Sequence, residues 1–296
     1  MIGLVERVAG GIAKRARDHA ARGRVGGDLP SLGDTLRDGH EAAWSHVPVT
    51  FVASTGRVGS KTLTALWGLA DHVQAEHEPL PRLVQVSGKA WQTPDDERWR
   101  DVVRAARDDL IADAYRRGRR YAETNNRLTS LAPAILASYR GANGVMLWRE
   151  PEAFVLSALR RGYYAGHHWD FARYRPRPDD PAAAQWASWS NGLRAAWLWA
   201  ATNSFVLDCV EVAEERWTVI ASERLFAGDP DALDQAFAAV GAIGDRRPPP
   251  RSVDRVLSKR INAQRDGTAD QALHGPGEAG QFAELIQPVL DRLRAV

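Results

Sequence analysis

The residues most suggestive of chemistry lie at 51–62, where FVASTGRVGSKT runs from an apolar segment into Gly, Arg, Ser and Lys. The pattern predicts a strand that ends near Ser54, a tight turn at Gly56 and Gly59, and a helix that starts near Ser60. Because the N–H groups at a helix start attract anions, this arrangement is typical of a loop that binds phosphate.

The sequence of this loop differs from the motif of a nucleotide-triphosphate loop, G-x-x-x-x-G-K-[ST]. Ser54 stands where that motif has its first Gly, and Ser60 separates Gly59 from Lys61. None of the predicted strands ends in an Asp that could hold Mg²⁺, as a P-loop kinase requires. The kinase interpretation is therefore weakened and stays open as an alternative.

A second motif, LWREPEAFVLSALRRGYY, places Arg149 at the end of a predicted strand. Pro151 then occupies the first helical position, and Ser157 lies further along the same helix. Ligands of open α/β sheets bind at the carboxyl ends of the strands, which is where Arg149 is expected. The motif therefore predicts a second group of anion ligands close to the loop.

The spacing of apolar residues predicts strands alternating with helices. The predicted strands are 47–54, 82–87, 119–123, 144–149 and 217–222, and the predicted helices are 61–77, 95–117, 129–139, 151–162 and 182–212. Alternation of this kind predicts a three-layer α/β sandwich with a central parallel sheet. A helix and loop extension is expected at 1–46, before an α/β domain at 47–296.

The proline run at 245–251 is expected to be neither helix nor central strand. It would separate the body of the domain from a basic C-terminal segment at 252–296, which ends in a helical pattern at 281–293.

Composition excludes several classes of protein. A net charge of +2 over 296 residues gives no general nucleic-acid surface, and the single cysteine, Cys209, excludes an internal disulfide and is expected in the core. The most apolar stretch, 193–213, carries charges that a bilayer-spanning helix would not, and no secretory signal opens the chain. These features predict a cytoplasmic protein with no integral membrane segment. The sequence does not determine the oligomeric state.

The two motifs together resemble those of sulfotransferases that use 3′-phosphoadenosine-5′-phosphosulfate (PAPS). The resemblance extends to HEPLP at 77–81, YAETNNRLTSLAPAI at 121–135 and VIASERLFAGDPDALDQAFAAVG at 219–241. It implies a P-loop-like sulfotransferase fold and transfer of a sulfuryl group to a hydroxyl or amine of a small molecule, sugar or lipid. It also implies release of 3′-phosphoadenosine-5′-phosphate (PAP) and no need for a metal.

The resemblance also assigns residues to the donor. It places the 5′-phosphosulfate on Arg57, Val58, Gly59, Ser60, Lys61 and Thr62, and the 3′-phosphate on Arg149 and Ser157, which are eight positions apart. Three basic residues near the C-terminus would close over the 3′-phosphate: Arg255, Lys259 and Arg260. The departure from the family is Lys61, where Thr is more common.

The catalytic residues expected from this reading are Glu78, Arg57, Lys61 and Glu123. Arg57 and Lys61 would neutralise the leaving oxygen, because positive groups aimed at that oxygen stabilise the transition state. Glu78 is the preferred base and Glu123, at a predicted strand end, is the second candidate. His77 is expected to point elsewhere from a helix end. A catalytically silent nucleotide-binding module remains a further alternative.

Two other features receive a structural interpretation. His167, His168 and Asp170 could suggest a metal site but are interpreted as a loop near the acceptor, and Glu223 is expected to anchor a strand end.

Overall fold

The computed structural model of the chain describes residues 47–259 and 272–296. The predicted extension at 1–46 and the basic residue Arg260 lie outside these ranges, so both remain predictions.

The centre of the fold is a five-stranded parallel sheet with the strand order β2-β3-β1-β4-β5. The strands are β1 (Val49–Ala53), β2 (Val73–His77), β3 (Arg120–Thr124), β4 (Ala142–Trp148) and β5 (Trp217–Ala221). In the centre of the sheet, Val52 of β1 pairs with Thr124 of β3 and with Val145 of β4. All five strands run in the same direction, so their carboxyl ends meet at one edge.

Helices cover both faces of the sheet because both faces of the central strands are apolar. Every residue of β1 is buried, and Val52 faces one layer of helices while Phe51 faces the other. The Val52 side is covered by α1 (Ser60–Trp67), α7 (Ser222–Phe226), α8 (Pro230–Ala238) and α9 (Pro250–Leu257). This arrangement confirms the predicted three-layer α/β sandwich.

The Phe51 side carries the larger layer. It contains α2 (Val84–Gln92), α3 (Arg98–Arg116), α4 (Ala132–Ser138), α5 (Pro151–Arg160), α6 (Asn191–Val212) and α10 (Ala279–Ala295). The helices α5, α6 and α10 enclose an aromatic core in which Trp199 is fully buried. Cys209 is partly buried and packs against the neighbouring cluster, which agrees with its interpretation as a core residue.

Four of the five predicted strands are confirmed, and the fifth is wrong. The segment 82–87 begins helix α2 instead of forming a strand, and its apolar residues occupy the inner face of that helix. The strand that the sequence does not predict is β2. The sequence predicts a single helix over 61–77, but α1 ends at Trp67 and the last five residues of that range form β2. Edge strand β2 has one neighbour, β3, and its sequence VQAEH carries only one buried side chain.

The helix predictions agree in position with α3, α4, α5, α6 and α10. The expectation for 245–251 is wrong in part, because Gly244–Arg246 forms a 3-10 turn and α9 starts at Pro250, a position where proline is favoured. Among the helices of residues 47–259 and 272–296, none combines the length and the apolar character needed to cross a bilayer.

Candidate active site

A cleft of about 970 Å³ opens at the carboxyl edge of the sheet. Its floor is the whole loop from Gly56 to Thr62, and the segments that follow the other four strands form its walls. The lining also includes Glu78, Arg82, Arg127, Arg149, Arg161, Tyr163, His167, Trp169, Glu223, Phe226 and Lys259. The structure therefore brings most of the predicted site residues to one place.

The floor loop depends on left-handed backbone at three positions. Gly56 (φ 74°), Arg57 (φ 58°) and Gly59 (φ 83°) have positive φ, which is favourable for glycine and costly for arginine. A Cβ on Gly59 would lie 2.3 Å from the ring of Phe226, so this position needs glycine for space as well as for conformation. The loop is thus held tightly against its neighbours.

Helix α1 begins within this loop, at Ser60. Its N-cap residue, Gly59, offers no side-chain hydrogen bond, and its first turn contains no acidic residue. The N–H groups at the helix start therefore have no side-chain cap, and the exposed Lys61 adds positive charge beside them. This combination suits a bound anion, as the sequence predicts.

Arg149 connects the floor loop to the end of β4. Its Nη1 donates to the carbonyl of Arg57 at 3.0 Å, and its Nε lies 3.6 Å from a carboxylate oxygen of Glu223. Ser157, on the following helix α5, accepts a 3.1 Å hydrogen bond from Nε of Arg57. Glu223 does anchor its strand end, because it also accepts from the backbone N–H of Glu150 at 3.3 Å.

Positive charge is concentrated around Arg57. Burial lowers the pKa of its guanidinium from the ordinary value, and repulsion from Arg161 and Arg149 lowers the pKa further. A bound anion would relieve this repulsion.

Glu78 lies on the side of the cleft formed by β2, directly after that strand. Its backbone has a positive φ of 45° and its N–H donates to the carbonyl of Thr124 at 3.1 Å. The carboxylate is 41% exposed, and one oxygen is 3.9 Å from Nε2 of His77. Glu78 therefore presents a carboxylate to the cleft from a fixed backbone.

His77 also lines the cleft, so the expectation that it points elsewhere is wrong. It is the last residue of a strand, not of a helix, and its Nδ1 is 2.9 Å from the hydroxyl of Thr124. Burial lowers the pKa of His77; the carboxylate of Glu78 opposes this shift and Lys61 adds to it. The lowered pKa favours the neutral form of the ring.

The expectation that Glu123 opens toward the cleft is wrong. Glu123 is only 1% exposed and pairs with Arg107 of α3, whose Nη2 donates to its Oε1 at 2.8 Å. Tyr121 Oη donates to Oε2 at 2.8 Å and Asn125 Nδ2 donates to Oε1 at 3.0 Å. Every contact made by this carboxylate is structural, because strand alternation turns it toward α3.

The segment that contains His167 and His168 forms a wall of the cleft, organised by Asp170. The Asp170 carboxylate accepts hydrogen bonds from the N–H of His167 at 2.8 Å and from Nε of Arg173 at 2.6 Å. Burial would raise the pKa of Asp170, but the hydrogen bond and charge of Arg173, with the backbone N–H groups of Tyr164 and Gly166, hold it below its ordinary value. Across the residues that the structure describes, no group of three or more His, Cys, Asp or Glu side chains could hold a metal ion.

The structure separates the predicted C-terminal ligands. Lys259 lines the cleft, whereas Arg255 is exposed on α9 and is not among the lining residues.

Sequence reasoning missed several lining residues: Arg82, Asn126, Arg127, Arg161, Tyr163, Arg173 and Phe226. Arg161 could have been found, because it lies four positions after Ser157, one helical turn further along. The others carry no local signal.

No protein-family model matches the chain, and no curated protein matches it. Among solved structures, the chain is similar to a sulfotransferase from Alicyclobacillus acidocaldarius (16% identity, TM-score 0.46, 84% of this chain and 94% of that one). It is also similar to the sulfotransferase domain of the Synechococcus PCC 7002 olefin synthase (13% identity, TM-score 0.46, 84% and 94%). A sulfotransferase domain from the curacin biosynthetic pathway matches at 12% identity and TM-score 0.45 (80% and 96%). These similarities are distant, so the function is inferred below from the cleft itself.

Replacing Glu123 by glutamine should destabilise the protein strongly. Glu123→Gln leaves the buried Arg107 guanidinium without its carboxylate, which typically costs about 3–5 kcal/mol. Urea unfolding at pH 7 measures the loss, with the exposed Glu214→Gln as the matched control. A loss below about 1 kcal/mol would show that the pair is not a stabilising element.

Replacing Gly59 by alanine should damage the floor loop. The new Cβ meets Phe226 in a backbone conformation that costs an L-residue about 1–2 kcal/mol. For the PAP binding that the sequence predicts, we expect Gly59→Ala to lower the affinity, measured by calorimetry, and Gly59→Ala/Phe226→Ala to recover part of the loss. Gly118 also has positive φ but no atom within 4 Å of its Cβ position. Gly118→Ala should therefore lose stability and keep PAP affinity; equal loss of affinity in both variants would contradict this explanation.

Proposed function

We propose that this protein is a sulfotransferase that uses PAPS as its sulfuryl donor. The observation that carries the proposal is the direct connection between the two predicted anion sites. Arg149 donates to the backbone of Arg57, and the Arg57 side chain donates to Ser157, so both predicted groups contact the same residue of the floor loop. Arg57 and Arg149 line the cleft, and Ser157 is buried beside Arg57. A donor with phosphate groups at both ends matches such a cleft.

The proposal assigns each end of the donor to different elements. The floor loop from Gly56 to Thr62 and the start of α1 would hold the 5′-phosphosulfate through N–H groups, hydroxyls and the charges of Arg57 and Lys61. Arg149 and Ser157 would hold the 3′-phosphate, with Lys259 at the rim. Contributions from Arg255 and Arg260 stay predictions.

The bound donor supplies an activated sulfuryl group, which leaves its bridging oxygen as a new bond forms to the acceptor oxygen or nitrogen. Arg57 and Lys61 would neutralise charge at the leaving oxygen. Glu78, across the cleft, would take the proton from the acceptor, because its exposed carboxylate lines the cleft and Glu223, the other lining carboxylate, is engaged by Arg149. The burial of Glu123 supports Glu78 over Glu123 as the base.

The acceptor in this proposal is a hydroxyl or amine of a small molecule, sugar or lipid. A P-loop kinase would need a carboxylate that binds the Mg²⁺ ion on the triphosphate of its nucleotide. Glu223 lies in the cleft but is engaged by Arg149 and by the hydroxyl of Ser222. This engagement disfavours Glu223 as a ligand of Mg²⁺. A silent nucleotide-binding module is distinguished by turnover alone.

Ligand preference tests the donor proposal. PAP should raise the melting temperature more than ATP with Mg²⁺, because only PAP places a phosphate on Arg149 and Ser157. Arg149→Gln should weaken PAP binding about tenfold to a hundredfold, as expected for a lost hydrogen bond to a charged group. Arg140→Gln, at the opposite edge of the sheet, serves as the control. A larger shift with ATP and Mg²⁺ would overturn the proposal.

Removal of the Glu78 carboxylate tests the base. Glu78→Gln should leave PAP affinity within about twofold of the parent and lower kcat by about 10²–10⁴, the usual contribution of a general base. Transfer from radiolabelled PAPS to a panel of hydroxyl and amine acceptors measures kcat, with Glu214→Gln as the control. Normal turnover in Glu78→Gln would exclude Glu78 as the base.

A further inference from the structure

Apart from Arg173, which is paired with Asp170, the arginines and lysines that line the cleft fall into two groups. The donor group lies on the floor loop, at the two ends of α5 and after the end of α9; it consists of Arg57, Lys61, Arg149, Arg161 and Lys259. The second group consists of Arg82 and Arg127, which follow β2 and β3. Within residues 47–259 and 272–296, neither Arg82 nor Arg127 forms a side-chain ion pair or hydrogen bond.

Arg82 and Arg127 share the side of the cleft that carries Glu78. His77 pairs with Thr124 in the sheet, so Glu78 and the segment of Arg127 leave the sheet beside each other. The turn before Arg82 is held by Arg107, whose Nη1 donates to the carbonyl of Pro81 at 3.1 Å.

The backbone of Arg127 is fixed by a 3.0 Å hydrogen bond from its N–H to Oδ1 of Asn125. The two guanidinium groups are therefore carried by anchored backbone and line the same cleft as the proposed base.

The donor does not need these two arginines. A 3′-phosphate carries about −1.5 to −2 charges at pH 7, and the phosphosulfate adds one charge on phosphorus and one on sulfur. The five cations of the donor group, opposed only by Glu223 among the lining carboxylates near them, already balance that charge. Arg82 and Arg127 remain as unpaired positive charge next to Glu78.

We propose that the acceptor is itself an anion: a small hydroxyl compound that carries a carboxylate, phosphate or sulfate group bound by Arg82 and Arg127. This inference rests on the proposed sulfotransferase function and names its substrate class. The planar guanidinium groups suit bidentate contact with such an anion. They would also offset the repulsion that an anionic acceptor meets from Glu78 and from the donor, and would direct its hydroxyl toward Glu78.

Binding to the PAP-saturated protein tests this inference without requiring turnover. Calorimetry compares matched pairs that differ in one anionic group: 4-hydroxyphenylacetate with 4-hydroxyphenylacetamide, methyl glucuronide with methyl glucoside, and glucose 6-phosphate with glucose. In at least one pair, the anionic member should bind about tenfold or more tightly, as expected for a charged hydrogen bond. Arg82→Gln and Arg127→Gln should each reduce that preference about fivefold or more and leave PAP affinity unchanged.

The control is Arg140→Gln, which should keep the preference for the anionic member. The inference is overturned if PAP binds normally while the neutral member binds as tightly in every pair, or while no anionic member binds. It is also overturned if Arg82→Gln and Arg127→Gln keep the full preference. Failure of PAP to bind would instead contradict the donor proposal. The preference for the anionic over the neutral member of each pair would then be measured on the protein without PAP.

Discussion

The cleft depends on the hydrogen bond from Arg149 to the backbone carbonyl of Arg57. This bond ties the end of β4 to the loop that follows β1, and the same side chain reaches toward Glu223 after β5. The backbone of Arg149 is held in turn by Trp199, whose Nε1 donates to its carbonyl at 2.7 Å from the buried helix α6. A single arginine thereby fixes three strand ends relative to the core.

Strain is concentrated at the same edge of the sheet. In the described part of the chain, four residues other than glycine have positive φ, namely Arg57, Glu78, Leu83 and Tyr164. The first two line the cleft, and the others are neighbours of the lining residues Arg82 and Tyr163. Each such conformation costs about 1–3 kcal/mol and persists only where the surroundings enforce it. Here the enforcement comes from the packing of Gly59 on Phe226 and from the Arg107 network beneath Glu78.

The sequence predicts the elements whose signal is local. Central strand β1 is a continuous apolar run, and the turn residues after it can be read directly. Strand β2 could not be predicted, because VQAEH is no more apolar than a helix surface and becomes a strand only by pairing with β3, more than forty residues later. This error put His77 at the end of a predicted helix, pointing away from the cleft. The separate error at 82–87 arose from its apolar run RLVQVS, whose apolar residues belong to helix α2.

The fate of Glu123 could not be predicted for a different reason. Its position near the end of a strand is visible in the sequence, but the choice between solvent and core depends on Arg107, which lies in the middle of a helix that packs on the sheet. By contrast, the positions of Arg149 and Ser157 near the floor loop could be predicted, because one ends a strand and the other lies on the helix that follows. In the structure both residues contact Arg57 of that loop.

The hydrogen bond between Arg57 and Ser157 has a thermodynamic consequence for recognition. Nε of Arg57 donates to the Ser157 hydroxyl, which is an uncharged acceptor. Water or an uncharged ligand that took the place of this hydroxyl would only exchange one neutral acceptor for another. An anionic oxygen in the same place would add the attraction between opposite charges. The contact would therefore be exchanged more readily for an anion than for a neutral molecule.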